Sequence, residues 1–172
     1  MWYKLNLPKI TVPKKWHTES IELISKKAPG YKSYYVTEEF DRQIRSLFPE
    51  DFFPTDSKVI AQYLDTRLNN YIHKDGRMYA INYLIQSGGN NAQTRLYDDN
   101  RVELDRYKQT PGDWVLLDTF TNHSVNNIEN TRISLSISFY EFGKNQWDWL
   151  DDNINMRAGA VPEVTKIPVD KL

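Results

Sequence analysis

Three residues of this chain have the types and order to share a metal ion. His73 and Asp75 stand two apart, so on a continuous strand both side chains leave the same face. His123 follows 50 residues after His73 (123 − 73 = 50), a separation that a closed roll of short strands can bring back to a neighbouring position. Imidazole nitrogen and carboxylate oxygen suit a borderline first-row divalent ion. Two imidazoles and one carboxylate on one triangular face leave three coordination positions open. A His-X-Asp pair is common by chance, and a lone histidine between Asn122 and Ser124 is ordinarily a hydrogen-bonded surface residue; only the ordered set carries meaning. The remaining histidine, His17, begins an amphipathic segment and is expected at the surface or as an indifferent cap.

Arg132 stands nine residues after His123 (132 − 123 = 9) and opens the run Arg132-Ile-Ser-Leu-Ser-Ile-Ser-Phe-Tyr, which alternates cleanly. On a strand Arg132, Ser134, Ser136 and Ser138 share one face, and Ile133, Leu135, Ile137 and Phe139 share the other. The apolar face should meet helices from the N-terminal part. Small hydroxyls around one arginine make poor core but suit a wet, polar pocket inside a roll.

The elements that position these residues divide into two textures. Up to about residue 69 the chain reads as mixed: a proline-broken strand over Leu5–Pro13, a helix beginning at Thr18 and stopping at Pro29-Gly30, and a helix from about Thr37 through Phe40, Ile44 and Leu47 to Pro49. A third helix is expected over Asp56 to about Asn69, with Val59, Ile60, Tyr63, Leu64 and Leu68 on one side. From residue 70 the pattern is β. Strands are expected at Tyr79–Ile85, Thr94–Tyr97, Val102–Tyr107, Trp114–Leu117, Asn122–Val125 and from Arg132 onward, separated by Gly-, Asn- and Asp-rich turns. Short strands at this spacing, after the helical N-terminal third, predict a mainly β, α+β chain: a β-sandwich or jelly roll with N-terminal helices packed on one sheet. As one domain over 1–172, it divides into a helical support region (1–69), the jelly-roll core (70–142) and a C-terminal extension (143–172) that reads as an extended, wrapped or loose segment.

Bulk numbers exclude several classes. The 172 residues carry 22 Lys+Arg against 23 Asp+Glu, a formal net charge of −1, so no bulk field draws nucleic acid. There is no cysteine, which removes disulfides, thiolate zinc sites, iron–sulfur clusters and thiol catalysis together. No apolar run reaches the length of a signal peptide or a membrane span, so a soluble, cytoplasmic protein without a membrane partner is expected.

Around these residues the sequence resembles the Fe(II)/2-oxoglutarate-dependent oxygenases, in particular their prolyl-hydroxylase-like branch, over roughly residues 60–142. The resemblance lies in His73-Lys74-Asp75, then His123, then Arg132. It is supported by Ala80-Ile-Asn-Tyr-Leu after the first pair, Gly88-Gly89 with Thr94-Arg-Leu-Tyr, Gly112-Asp-Trp-Val-Leu-Leu-Asp before the distal histidine, and Arg132-Ile-Ser134 after it. It implies that the roll is a double-stranded β-helix (jelly-roll, cupin-like) core, that His73, Asp75 and His123 bind Fe(II), and that Arg132 grips the distal carboxylate of 2-oxoglutarate. Ser134 would add a hydroxyl, and Tyr83 would help bind the same carboxylate, with Tyr79 and Ile81 lining the pocket on its face.

The implied activity consumes O2 and 2-oxoglutarate and hydroxylates a small-molecule or peptide substrate, with a prolyl or amino-acid-like group favoured. Related halogenases lack the carboxylate ligand, and Asp75 is present. A cupin-type site usually draws on a His-X-His pair, absent here. A relative working without 2-oxoglutarate would not need Arg132, and a non-catalytic jelly-roll metal-binding or scaffold protein is the reading from another class. Specificity is expected in loops around the mouth, at 86–93, 98–101 and the Trp147–Trp149 segment, with the two tryptophans alternatively a clasp on the core. The substrate and the oligomeric state are left open.

Overall fold

The computed structural model describes residues 1–18 and 28–155. The described elements are strands β1 (Trp2–Leu5) and β2 (Tyr31–Tyr35), helix α1 (Glu38–Arg45), strands β3 (Ile60–Leu64), β4 (Tyr79–Ser87), β5 (Gln93–Tyr97), β6 (Glu103–Tyr107), β7 (Trp114–Asp118), β8 (Asn122–Asn126) and β9 (Arg132–Phe139), helix α2 (Lys144–Asn153) and strand β10 (Ile154–Asn155). They form a seven-stranded sheet in the order β10-β1-β7-β4-β9-β3-β2 and a three-stranded sheet β6-β5-β8. Every pairing is antiparallel. This is the expected mainly β jelly roll. Among the described residues no helix is long and apolar enough to cross a membrane.

The register of β9 divides the molecule. It lies between β3 and β4, with Leu135 opposite both Ala61 and Tyr83, and Ser136 opposite both Ile60 and Asn82. Antiparallel partners point to the same side. Leu135, Ile137 and Phe139, all 0–1% exposed, therefore join Ile81 and Tyr83 in the main core outside the large sheet. Helix α1 closes that core. Thr37 caps it by accepting the Phe40 N–H, acidic residues fill its first turn, and its buried Phe40 and Ile44 sit four apart on one face. Phe48 and Phe52 extend the cover. On the other face of β9, Arg132, Ser134, Ser136 and Ser138 line the space between the sheets.

Several elements depart from the sequence expectation. The helix over Asp56–Asn69 is instead strand β3 and a short 3-10 turn at Thr66–Leu68. Its apolar positions fit either period, but pairing with β2 and β9 satisfies the backbone, and Ile60 and Tyr63 favour a pleated surface. Residues 1–69 are thus not a helical support region, because β1, β2 and β3 all belong to the large sheet. The proline-broken strand is the earlier Trp2–Leu5, which ends before Pro8. The extension from 143 opens with a ten-residue helix where an extended segment was expected. The Gly143 N–H is held by Gln146 Oε1 at 2.7 Å, and Leu150 is fully buried. Trp147 and Trp149 pack against the main core, so they are a clasp and not a loop at the mouth. His17 is half-buried, its Nε2 2.7 Å from the Tyr63 hydroxyl, not a surface residue. The helix expected after Thr18 falls on residues 19–27, outside the described residues, as does the chain from 156 onward.

The two faces of β9 should respond differently to truncation. Leu135→Ala removes packed core and should cost about 2–5 kcal/mol of unfolding free energy. Ser136→Ala, one residue away on the cavity wall, should cost less than about 1 kcal/mol. Urea unfolding with an unchanged m-value checks both, and equal losses would contradict the facing described.

Candidate active site

The stretch before β4 is pinned across the mouth of the small sheet. His73 and His123 form a two-way bridge: the His73 N–H donates to the His123 carbonyl at 3.0 Å, and the His123 N–H returns to the His73 carbonyl at 2.9 Å. The Asp75 N–H donates to the Thr119 carbonyl at 2.9 Å, and the Thr119 hydroxyl to the Arg77 carbonyl at 2.8 Å. These bonds remove the 50-residue sequence gap (123 − 73) and bring the two imidazoles to a centroid separation of 4.4 Å.

The donor atoms converge. One ligand atom from each of His73, Asp75 and His123 lies within 4.8 Å of the others. Asp75 Oδ1 is 3.4 Å from His73 Nε2 and 3.9 Å from His123 Nε2. An ion held at about 2.1 Å by three facial ligands needs donors about 3 Å apart, so small rotations suffice. The tautomers are set by backbone oxygens. His73 Nδ1 lies 3.1 Å from the Tyr71 carbonyl and His123 Nδ1 2.9 Å from the Thr121 carbonyl. A carbonyl only accepts, so each Nδ1 carries a proton; in the neutral ring the Nε2 lone pair is left free for an ion beside Asp75, while protonated His73 donates its Nε2–H to that carboxylate instead.

The electrostatics fit a cation between them. Burial opposes charge on His73, but the Asp75 carboxylate and the Tyr71 carbonyl outweigh it and hold this imidazole above its ordinary value. At His123 burial, aided by the neighbouring His73, pulls the imidazole down. Burial works to raise Asp75, yet its hydrogen bond to His73 and the two nearby imidazoles bring it below the usual carboxylate range. The donor set thus fits Fe(II) or a similar ion.

A cavity of about 740 Å³ runs between the sheets and is lined by all three of these residues and by Arg132. Arg132 is 4% exposed. Its guanidinium donates to the Ser87 carbonyl at 3.1 Å and to Gln109 Oε1 at 3.4 Å, both neutral acceptors. Among the described residues no carboxylate forms an ion pair with it, and burial pushes its pKa down. Gly88 makes room for this arrangement. It has φ +80°, and a Cβ there would lie 2.7 Å from that of Arg132. Ser134 shares the wall, its hydroxyl 3.4 Å from Gln62 Oε1.

Two expected pocket residues are elsewhere. Tyr83 and Tyr79 pair with Leu135 and Phe139 and face the main core. The Tyr83 hydroxyl takes the Ile10 N–H at 3.2 Å, and Tyr79 stacks on Phe142 at 4.9 Å. Neither lines the cavity, nor does Ile81; their neighbours Ala80 and Asn82 do. Sequence reasoning missed Asn82, Gln109 and Gln62. Gln109 lies just past β6, its Nε2 donating to the Asp113 carbonyl at 2.8 Å so that its oxygen faces Arg132. No sequence signal marks it.

No protein-family model matches the chain, and no curated protein matches it. Among solved structures it is similar to Streptomyces albus HEPD with 2-hydroxyethylphosphonate and Fe(II) bound, at TM-score 0.45 and 12% identity, covering 79% of this chain and 26% of that one. It is also similar to Fe(II) HppE, at TM-score 0.46 and 6% identity over 76% of this chain and 60% of that one. A third is an oxidoreductase of the 2OG-Fe(II) oxygenase family from Burkholderia pseudomallei, at TM-score 0.39 and 12% identity over 62% and 54%. The chain spans between about a quarter and three-fifths of these structures' own lengths. Likeness at this level identifies no activity.

Metal binding should be visible as stability. Anaerobic Fe(II) or Mn(II) at a hundredfold excess over Kd should stabilise the fold by about 2.7 kcal/mol, read as a raised Tm. His123→Ala and Asp75→Ala should abolish the shift. A proton on His73 competes with the ion, and its raised pKa means that competition begins at higher pH than for an ordinary histidine. Apparent affinity should therefore be full above that pKa and fall below it, with proton release per bound ion growing on acidification. Titration calorimetry in two buffers measures this, and an affinity flat across the acid range would remove His73 from the ligand set.

Proposed function

We propose that this chain is a non-haem Fe(II) dioxygenase that couples oxidative decarboxylation of 2-oxoglutarate to hydroxylation of a second substrate. His73, Asp75 and His123 would hold the iron, which with O2 and 2-oxoglutarate supplies the oxidising chemistry and yields succinate, CO2 and the hydroxylated product. The observation that carries the reading is Arg132, a buried cation whose hydrogen-bond acceptors are neutral, in the wall of the cavity that holds the His-Asp-His set. An isolated charge out of water costs several kcal/mol unless a counter-charge meets it. A carboxylate reaching Arg132 from the metal end supplies that counter-charge, and a planar guanidinium grips it bidentately. A dicarboxylate with a chelating keto acid at its other end suits both stations.

This chain's own residues then have separate tasks. Gln109 and the Ser87 carbonyl hold the guanidinium in place. Ser134 offers a hydroxyl beside it, and the Tyr71 and Thr121 carbonyls keep the imidazoles in the ligating tautomer. An intact Asp75 favours hydroxylation over halide transfer. Tyr79 and Tyr83 take no part in this reading. By the sequence resemblance, the favoured substrate is a prolyl or amino-acid-like group in a small molecule or peptide.

Anaerobic addition of Fe(II) and then 2-oxoglutarate should produce the visible charge-transfer band of a chelated keto acid. Arg132→Ala should raise the Kd for 2-oxoglutarate by about 10–150-fold, the loss of one charge-assisted pair, and leave Fe(II) affinity within about threefold. Equal loss of both would make the arginine structural. No band in the wild type, with metal still retained, would favour a non-catalytic metal-binding jelly roll.

A further inference from the structure

The outer part of the cavity carries a second cationic station. Lys58 lies two residues before β3, whose Ile60 pairs with Ser136, so continuing the register sets it beside Ser138 at the far end of β9 from Arg132. Arg77 lies two residues after Asp75, and its Nη1 donates to the Ser138 carbonyl at 3.3 Å. Lys58, Arg77 and Ser138 all line the cavity. Each cation is steadied over a ring: Lys58 Nζ is 4.6 Å from the Tyr35 centroid, and Arg77 Cζ is 5.1 Å from that of Tyr140. Neither forms an ion pair with a carboxylate among the described residues. Lys74, also on the lining, is committed to Asp99 at 2.8 Å.

The charges of the cavity separate the two stations. Its lining holds the cations Lys58, Lys74, Arg77 and Arg132 and the acids Asp56 and Asp75. A divalent ion with Asp75 and two neutral imidazoles leaves a charge of about +1; Arg132 adds one, and a dicarboxylate cancels both. With Lys74 paired outside, the rim retains Lys58 and Arg77 against Asp56 alone. We infer that the second substrate is a small molecule bearing an acidic group, a carboxylate or a phosphate, bound between Lys58 and Arg77 with its remainder directed toward the metal. This rests on the oxygenase reading and narrows its substrate class.

Lys58 is exposed and Arg77 half-buried, so the discrimination should be moderate. The test uses anaerobic protein loaded with Mn(II) and 2-oxoglutarate, titrated calorimetrically with matched probes: N-acetyl-L-proline against its amide, and glycerol 3-phosphate against glycerol. The acid of at least one pair should bind on the order of tenfold tighter than its neutral partner. The Lys58→Met, Arg77→Gln double variant, which removes both charges while keeping unbranched side chains, should lower that ratio to about twofold or less. Its 2-oxoglutarate Kd should stay at the wild-type value. Preference in the first pair alone assigns a carboxylate, and in the second alone a phosphate. Equal binding of acid and neutral forms, or a preference that survives the double variant, overturns the inference while 2-oxoglutarate binding still stands. Loss of 2-oxoglutarate binding in the wild type would overturn the oxygenase reading itself.

Discussion

Antiparallel pairing of β9 between β3 and β4 is the constraint on which the molecule depends. One strand carries an apolar row and a polar row, and the period of two sends them to opposite sides. The apolar row meets Phe40, Ile44, Phe48 and Phe52 and makes the core. The serine row is thereby committed to the space between the sheets. A one-residue slip would exchange the rows, burying Arg132 and three serines in hydrocarbon and exposing Leu135, Ile137 and Phe139 to the cavity. Register and site geometry are therefore the same fact, and the stability of the core enforces the polarity of the pocket.

A polar interior of this kind needs another source of order, because it contributes little hydrophobic burial. The two-way bridge between His73 and His123 supplies part of it, fixing the ligand segment to β8 through backbone bonds that do not depend on a metal. Thr119 joins Asp75 and Arg77 to the β7–β8 connection in the same manner. A smaller apolar cluster of Leu96, Tyr107, Val115 and Leu117 ties the two sheets together beside the cavity. His73, Asp75 and His123 would therefore need only side-chain rotations to close on an ion, which would limit the conformational entropy lost on binding.

How much of this was legible in the sequence follows from which features are local. The His-X-Asp pair, the distal histidine and the alternation of β9 could be read because type and spacing carry them. Helix α1 could be read because its cap, its acidic first turn and its apolar spacing agree. Strand β3 could not, since Val59, Ile60, Tyr63 and Leu64 satisfy a helical stripe and only pairing with two distant strands decides between the periods. The tyrosines of β4 failed for a related reason. Nothing local reveals which row of β4 faces the serines, and that register puts Asn82 opposite Ser136 and Tyr83 opposite Leu135. Gln109 was invisible because its role comes from a loop contact to Arg132, and helix α2 was obscured by its Asn, Asp and Trp content, poor in strong helix formers.

The two cationic stations differ in the medium around them, and on the proposed reading that difference would give them different work. Arg132 is nearly sealed, so an incoming carboxylate meets a guanidinium already stripped of bulk water, and their attraction is weakly screened. Lys58 lies at the exposed rim, Arg77 is half-buried, and Tyr140 beside it is 62% exposed, so charges there act through water and salt. A buried station suits a ligand that every turnover shares, since strong, oriented binding there also positions the chelating end. A screened station suits choice among substrates, because it rewards a matching charge without holding the product. On that reading, anchoring the co-substrate deep and sorting the substrate at the rim would both follow from one change of solvent exposure along β9, from buried Arg132 to half-buried Ser138.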